Sequence, residues 1–80
     1  MRLDKYLKVS RIIKRRTVAN EACTNSHVNV NGKTVKPSYD LKIGDEVEVI
    51  FGEKALRFRV LSLEEHVKKN EATQMYEILS

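Results

Sequence analysis

The chain has 80 residues, of which 41% are hydrophobic and 32% are charged, and its formal net charge is +4. This length suits one small domain and excludes a second one, and the composition is that of a folded protein rather than of a disordered tail. The charge is unevenly divided, because residues 1–39 contain nine basic and two acidic side chains whereas residues 40–80 contain six basic and nine acidic ones. A strongly basic N-terminal half is typical of proteins that bind a polyanion such as nucleic acid.

The first sixteen residues are the most basic segment, with seven lysines and arginines against a single acid, Asp4. Apolar residues at nearly helical spacing, beginning with Leu3 and Leu7, predict an amphipathic helix over residues 2–13. Its apolar side is expected to face a core and its basic side to face phosphates. Asp4 and Lys8 are four residues apart, so we expect them to pair on this helix.

A second helix is predicted from about Val18 to Thr24, with Thr17 as the N-cap because its hydroxyl can accept from free amides. Its small residues are expected to face inward, namely Ala19, Ala22 and Cys23. Cys23 is the only cysteine, so it forms no internal disulfide, and we expect a small buried side chain.

From His27 the hydrophobic period changes from helical to two, which indicates short strands. Four strands are expected at Val28–Val30, around Val35, from Val47 to Phe51 and from Leu56 to Val60. Their turns are Asn31-Gly32, Gly44-Asp45 and Gly52-Glu53, of which Asn-Gly is a strong hairpin signal. Towards the C-terminus we predict a short helix near residues 68–73 and a strand near residues 75–79.

These elements predict an α+β protein. The two N-terminal helices are followed by four to five short, mostly antiparallel strands, all within a single domain, residues 1–80.

The candidate binding residues form one basic cluster. Lys14 to Thr17 occupy the junction between the helices, where a helix N-terminus offers unpaired amides and arginines can hold phosphates in a bidentate fork. Lys36 extends this surface, with Tyr39 and His27 as further candidates for RNA contact. The predicted RNA-binding residues are Arg2, Lys5, Lys8, Arg11, Lys14, Arg15, Arg16, Thr17 and Lys36.

No pattern in the sequence indicates catalysis. Ser10, Thr17 and Cys23 have no base and orienting partner nearby in the sequence. The two histidines, His27 and His66, and the single cysteine are too scattered to form a zinc site. We therefore expect a non-enzymatic protein with no catalytic residues, no metal site and no cofactor.

Five motifs resemble, in order and spacing, the RNA-binding domain named after small-subunit ribosomal protein four. They are Arg2-Leu3-Asp4-Lys5-Tyr6-Leu7, Arg15-Arg16-Thr17 with Ala19, Val28-Asn29-Val30-Asn31-Gly32, Lys36-Pro37-Ser38 and Gly44-Asp45. The resemblance is close over residues 1–50 and looser over residues 51–80, and it implies that residues 1–80 form a single RNA-binding domain. The implied structure is the alpha-L RNA-binding fold, in which two N-terminal helices pack on a small, bent, mostly antiparallel sheet of four to five strands. It also implies that four of the predicted residues contact RNA, namely Arg2, Arg15, Arg16 and Thr17.

The chain departs from this family just before the first strand, where Ser26-His27 replace a glycine and a basic residue. The departure implies that Asn25 or Ser26 adopts a backbone conformation that glycine would adopt more easily. It also weakens the assignment of an RNA contact to His27.

Among stand-alone members of the family, the chain most resembles the RqcP type, which is related to the small heat-shock proteins that bind large ribosomal subunits. The heat-shock type carries a longer basic C-terminal extension. This sequence reaches Ser80 without such an extension, and this difference favours the RqcP type. The resemblance implies a role in ribosome-associated quality control. Its implied contacts are 23S rRNA of obstructed large subunits and peptidyl-tRNA, and it implies support of C-terminal alanine tailing by the partner RqcH.

We also expect a cytoplasmic protein without membrane contacts, because no apolar run is long enough to span a bilayer and no hydrophobic signal region follows the basic N-terminus. We further expect the protein to be a monomer. Three other functions remain open. These are a ribosome-assembly or large-subunit recycling factor, a DNA-binding regulator, and a protein-interaction module that uses the acidic C-terminal half.

Overall fold

The computed structural model describes residues 1–79 as two helices followed by a five-stranded sheet. The elements are α1 (Leu3–Val9), α2 (Arg16–Thr24), β1 (Val28–Val30), β2 (Lys33–Thr34), β3 (Glu46–Phe51), β4 (Lys54–Val60), a 3₁₀ helix (Lys69–Met75) and β5 (Tyr76–Ile78). The strands lie in the order β2-β1-β3-β4-β5, and every pairing is antiparallel. The α+β class, the two N-terminal helices and the C-terminal helix and strand are confirmed.

The core lies between the two helices and one face of the sheet. Three side chains of α1 are completely buried, namely Leu3, Tyr6 and Leu7. The Tyr6 ring stacks on Phe58 of β4 with the ring centroids 6.2 Å apart, and its hydroxyl donates a hydrogen bond of 2.7 Å to the Met75 carbonyl. Because these contacts join residues far apart in sequence, α1 is fixed to both the sheet and the C-terminal segment.

The strands follow the predicted alternation. Val47 and Val49 of β3 are buried, whereas Glu46 lies on the open face of the sheet. Phe51 continues the alternation but is 49% exposed, because the hairpin turns at Gly52 immediately after it.

The predicted Asn31-Gly32 hairpin is confirmed. Both residues have positive φ angles, 52° for Asn31 and 81° for Gly32, as a tight two-residue hairpin turn requires. The return strand β2 is limited to Lys33–Thr34, so Val35 lies outside it.

The first helix is shorter than residues 2–13. It ends at Val9, and Arg11 then takes a φ of 63°, which a right-handed helix excludes. The chain is held in this bend because the Ile13 amide donates to the Leu7 carbonyl at 3.0 Å and the Ile13 side chain is buried. The apolar character of Ile13 therefore reflects an anchored loop and not another helical turn.

The second helix begins earlier than predicted. Arg15 is its N-cap residue and Arg16 its first residue, so Thr17 lies inside the helix and the prediction that Thr17 is the N-cap was wrong. At the other end Ser26 has a φ of 61°, which confirms the glycine-like conformation expected at Asn25 or Ser26. Ala19 and Cys23 are buried as predicted, and Ala22 packs against the core.

Candidate nucleic-acid interface

The connection between α1 and α2 is a well-anchored loop that carries exposed cations. Ser10 is buried, and its hydroxyl lies 3.4 Å from the Leu7 carbonyl that it donates to. Together with buried Ile13 it fixes the loop to the core. The basic residues between and after these anchors, Arg11, Lys14 and Arg15, are exposed. The anchoring therefore presents their charges to solvent from a fixed backbone.

The carboxylate of Asp4 organises two arginines from separate elements. Asp4 is only 2% exposed, and its carboxylate is hydrogen-bonded. It accepts two hydrogen bonds from Arg2, at 3.1 and 3.2 Å, and one of 2.8 Å from the Lys5 amide. Asn20 of α2 donates at 3.3 Å, and a guanidinium nitrogen of Arg16 lies 3.5 Å away. The arrangement joins the start of α1 to the start of α2 and sets the positions of two predicted RNA-binding residues.

The expected pairing of Asp4 with Lys8 was wrong. Among residues 1–79 the ion pairs of Asp4 are with Arg2 and Arg16, because its carboxylate is turned inward towards α2. Lys8 is exposed and keeps its charge free for another partner.

Ionised Asp4 is the form that this arrangement favours. Burial raises the pKa of Asp4, but hydrogen bonds from Arg2, Asn20 and the Lys5 amide, together with the Arg16 charge, outweigh it and hold the pKa below the usual aspartate value of 3.8. The Arg2 and Arg16 side chains remain 49% and 48% exposed. Each guanidinium is therefore held on one edge and open on another, which suits a second, bidentate partner such as phosphate.

The N-terminus of α2 lies at the same junction. No side chain caps it, and its first amides belong to Arg16, Thr17 and Val18. Thr17 is exposed beside these amides. Free amides at the positive end of a helix favour an anion, so the junction combines a helix terminus with two arginines.

Lys36 lies in the loop that follows β2, and backbone hydrogen bonds join this loop to the start of α1. The Pro37 carbonyl accepts from the Asp4 amide at 3.1 Å, and the Tyr39 carbonyl accepts from the Leu3 amide at 2.9 Å. Lys36 is exposed next to these contacts, whereas Tyr39 is partly buried against the core. The loop thus ties the backbone next to Lys36 to the start of α1, and Lys36 itself lines a concavity with Thr24 and Ser26 at the C-terminal end of α2.

His27 lies elsewhere. It follows the C-terminal end of α2, and that end lies eight residues, about 12 Å along the helix, from Arg16. The structure therefore does not bring His27 to the junction.

The remaining predicted cations lie on another flank of α1. Lys5 pairs with Glu65, with 2.7 Å between its ammonium nitrogen and a carboxylate oxygen. Lys8, Arg11 and Lys14 line a concavity of about 430 Å³ together with Lys69 of the 3₁₀ helix. Lys69 is not predictable from the local sequence, because the fold brings it next to these residues from more than fifty residues away.

A further concavity, of about 450 Å³, lies on the open face of the sheet, where Glu46 and Glu48 outnumber Arg57. Its acidic character does not suit phosphate. No three histidine, cysteine or acidic side chains among residues 1–79 are grouped to hold a metal ion. In the same range no helix has the length and apolar character needed to cross a membrane.

Comparison with known proteins agrees with the motif resemblance. The S4 domain family model matches residues 1–47. The RQC P-site tRNA stabilizing factor of Streptococcus pneumoniae is 56% identical over 80 residues, which cover 100% of this chain and 91% of the relative. The Bacillus subtilis protein of the same name is 51% identical over 79 residues, covering 99% of this chain and 92% of the relative.

The fold also has a solved counterpart. The trimeric structure of Vibrio cholerae Heat Shock Protein 15 matches with a TM-score of 0.91 and 27% sequence identity, covering 100% of this chain and 82% of that one. The similarity thus extends through the C-terminal strands as well as the basic N-terminal half. The chain belongs to the S4 domain family and, within it, to the family of RQC P-site tRNA stabilizing factors.

Proposed function

We propose that the protein is a non-enzymatic, RNA-binding factor of ribosome-associated quality control that acts in the cytoplasm as a monomer. The observation that supports this most strongly is 56% identity along the whole chain to an RQC P-site tRNA stabilizing factor. The name of that relative describes stabilisation of tRNA in the P site. The basic N-terminal half of this chain supplies a physical means of binding such an RNA.

In this proposal the protein docks on obstructed large ribosomal subunits through 23S rRNA and contacts the peptidyl-tRNA. Arg2 and Arg16, held by Asp4, each donate to phosphate oxygens through their exposed edges, and the free amides of α2 donate to the same anion. Contacts of this kind read the shape and backbone of a structured RNA more than its sequence. Bound there, the protein keeps the peptidyl-tRNA in place while RqcH adds alanine to the nascent chain.

The test is alanine tailing reconstituted with obstructed large subunits, peptidyl-tRNA and RqcH. We expect the wild-type protein to stimulate tailing and Arg16→Ala to lose most of that stimulation. The matched control is Arg57→Ala, which removes an exposed arginine from β4, away from the junction. Tailing that is indifferent to the protein, or equal loss with both variants, would contradict the proposal.

Three further measurements separate the alternative functions. Preferential association with precursor subunits that lack peptidyl-tRNA would indicate an assembly factor, and release of peptidyl-tRNA without tailing would indicate recycling. Tighter binding to duplex DNA than to an RNA hairpin at equal salt would indicate a DNA-binding regulator.

A further inference from the structure

A concavity of about 400 Å³ lies between the C-terminal end of α2 and the loop that follows β2. One wall is formed by Cys23, Thr24 and Ser26, and the other by residues 34–37. We call it the α2–β2 concavity. Its volume falls within the range of small-molecule sites, about 300–1,000 Å³.

Part of the lining of the α2–β2 concavity is apolar and uncharged. Cys23 is only 3% exposed, Val35 packs against the core, and Pro37 is partly buried. Burial raises the pKa of the Cys23 thiol to about 11, so this side chain is neutral at pH 7. Such a surface suits the face of a nucleobase, which packs against apolar side chains.

Two groups at the α2–β2 concavity are free to bind a ligand. Lys36 is exposed, and within residues 1–79 its ammonium takes part in no ion pair. In the same range the Ser26 hydroxyl makes no hydrogen bond, whereas the hydroxyls of Thr24 and Thr34 donate to asparagine side chains. A cation and a free hydroxyl beside an apolar surface fit a ligand that combines an anion, a polar group and a ring.

The backbone at Ser26 gives an independent indication of function. Ser26 follows the C-cap residue of α2, and its φ of 61° is left-handed. Glycine adopts this conformation at helix ends with less strain than serine. The helix end alone therefore gives no reason for a serine, whereas a ligand contact beside Lys36 does, and strained residues concentrate at functional sites.

The α2–β2 concavity is separate from the junction that holds Arg2 and Arg16. Thr24 is the last residue of α2 and lies eight residues, about 12 Å along the helix, from Arg16. A ligand in the concavity therefore occupies the end of α2 that faces away from the junction.

We propose that the α2–β2 concavity binds a single nucleotide. Its base packs against Cys23, Val35 and Pro37, its phosphate binds the ammonium of Lys36, and its sugar hydrogen-bonds to the Ser26 hydroxyl. The nucleotide is either free in solution or an unpaired nucleotide of an RNA, because both present the same base, sugar and phosphate. This inference goes beyond the proposed function and does not depend on it, since its tests need no ribosome.

The first test follows the backbone amide signals of the protein by NMR during titration with adenosine monophosphate, adenosine or inorganic phosphate at equal ionic strength. We expect saturable shifts at residues 23–26 and 34–36, with adenosine monophosphate binding there about 10-fold more tightly than either fragment. Lys36→Gln should lower this affinity about 10-fold. The matched control is Lys33→Gln, which removes an exposed lysine of β2 outside the concavity and should bind like wild type. Equal affinity for inorganic phosphate and adenosine monophosphate, or no saturable shift at these residues, would overturn the proposal.

Two substitutions of Ser26 separate ligand binding from stability. Both Ser26→Gly and Ser26→Ala remove the hydroxyl, but only glycine relieves the strain at a φ of 61°. We expect both variants to bind adenosine monophosphate about 3- to 10-fold more weakly, while only Ser26→Gly gains thermal stability. Wild-type affinity in the more stable Ser26→Gly variant would refute the contact between the hydroxyl and the sugar.

The second test identifies the source of the nucleotide. The affinity of a single-stranded RNA tetranucleotide is read from the amide signals of residues 23–26 in the wild-type protein and in Lys36→Gln. If the tetranucleotide binds more tightly than adenosine monophosphate and depends on Lys36, the ligand is an unpaired nucleotide of RNA. If it binds more weakly than the mononucleotide, the ligand is a free nucleotide. Shifts at these residues that are the same in Lys36→Gln as in wild type, for both ligands, would contradict the site.

Discussion

Replacing Asp4 by asparagine tests the role of the carboxylate that joins the two helices. Asparagine keeps the size of the side chain, and its carbonyl oxygen can still accept from the Lys5 amide. The charge-assisted part of the bonds from Arg2, at 3.1 and 3.2 Å, and the attraction to Arg16, at 3.5 Å, are lost. The substitution therefore removes the ionic contribution while leaving the packing of the side chain intact.

The size of the effect follows from the burial of Asp4 and the exposure of its partners. Hydrogen bonds to a charged group contribute about 1.5–3 kcal/mol, and the lower part of this range applies because both arginines are about half exposed to solvent. We expect Asp4→Asn to lower the free energy of unfolding by about 2 kcal/mol at pH 7. In a domain of this size the loss corresponds to a fall in Tm of about 8–16 °C, measured by circular dichroism.

The pH dependence gives the sign of the ionic contribution. The pKa of Asp4 is lower in the folded protein than in the unfolded chain, where it is 3.8. The carboxylate therefore contributes its full stabilisation above pH 3.8, and this stabilisation is lost as the pH falls through the pKa of the folded protein. The difference in Tm between the wild-type protein and Asp4→Asn should therefore narrow as the pH is lowered from 7 towards 2.5. A difference that stays constant or widens would refute the ionic account.

RNA affinity distinguishes positioning from simple charge. Removing an acid makes the protein more basic, so charge alone predicts tighter RNA binding. If Asp4 orients Arg2 and Arg16, Asp4→Asn should instead weaken binding of an RNA hairpin, by about 3- to 10-fold as expected when preorganisation is lost. The control is Glu21→Gln, which removes the same charge from an exposed position of α2 and should bind at least as tightly as wild type. Tighter binding by both variants would contradict the positioning role.

Three other substitutions or reactions test the fold. Ser26→Gly should raise the free energy of unfolding by about 0.5–1 kcal/mol in urea titrations, because glycine adopts the φ of 61° found at Ser26 with less steric strain than serine. A loss of stability would contradict this explanation. Tyr6→Phe should lower the free energy of unfolding by about 0.5–1.5 kcal/mol, since the Met75 carbonyl keeps two backbone donors when the hydroxyl is removed. A much larger loss would indicate a role of the hydroxyl beyond this hydrogen bond. Burial raises the pKa of Cys23 to about 11, so iodoacetamide at pH 8 should modify the thiol slowly in the folded protein and much faster in urea; equal rates would show that the thiol is accessible.

The elements that sequence predicted well are those specified by local signals. Asn31-Gly32 predicted a hairpin because few other dipeptides adopt two positive φ angles. The alternation of apolar Val47 and Val49 with acidic residues indicated a strand with one buried face. The helix ends were harder to predict. Ile13 continues a helical apolar pattern, yet its burial anchors a loop that turns at Arg11, and periodicity alone does not distinguish these cases.

The candidate site was predictable in its composition but not in its arrangement. The excess of lysine and arginine before residue 17 indicated a polyanion surface from the sequence alone. The inward turn of Asp4 depends on Asn20 and Arg16 of another helix, so local spacing suggested Lys8 as its partner instead. Lys69 joins the basic residues of α1 only because the fold packs the 3₁₀ helix beside them. The features that local sequence patterns did not predict, the orientation of Asp4 and the position of Lys69, therefore depend on contacts between distant segments.

The most direct test of docking through the basic junction is co-sedimentation with purified large ribosomal subunits, with and without peptidyl-tRNA. The proteins compared are the wild type and the Arg15→Ala/Arg16→Ala variant, with circular dichroism to confirm that the variant is folded. We expect the wild-type protein to bind more tightly when peptidyl-tRNA is present and the variant to lose binding. Wild-type binding that is indifferent to peptidyl-tRNA, together with full binding by the folded variant, would contradict docking through the α1–α2 junction.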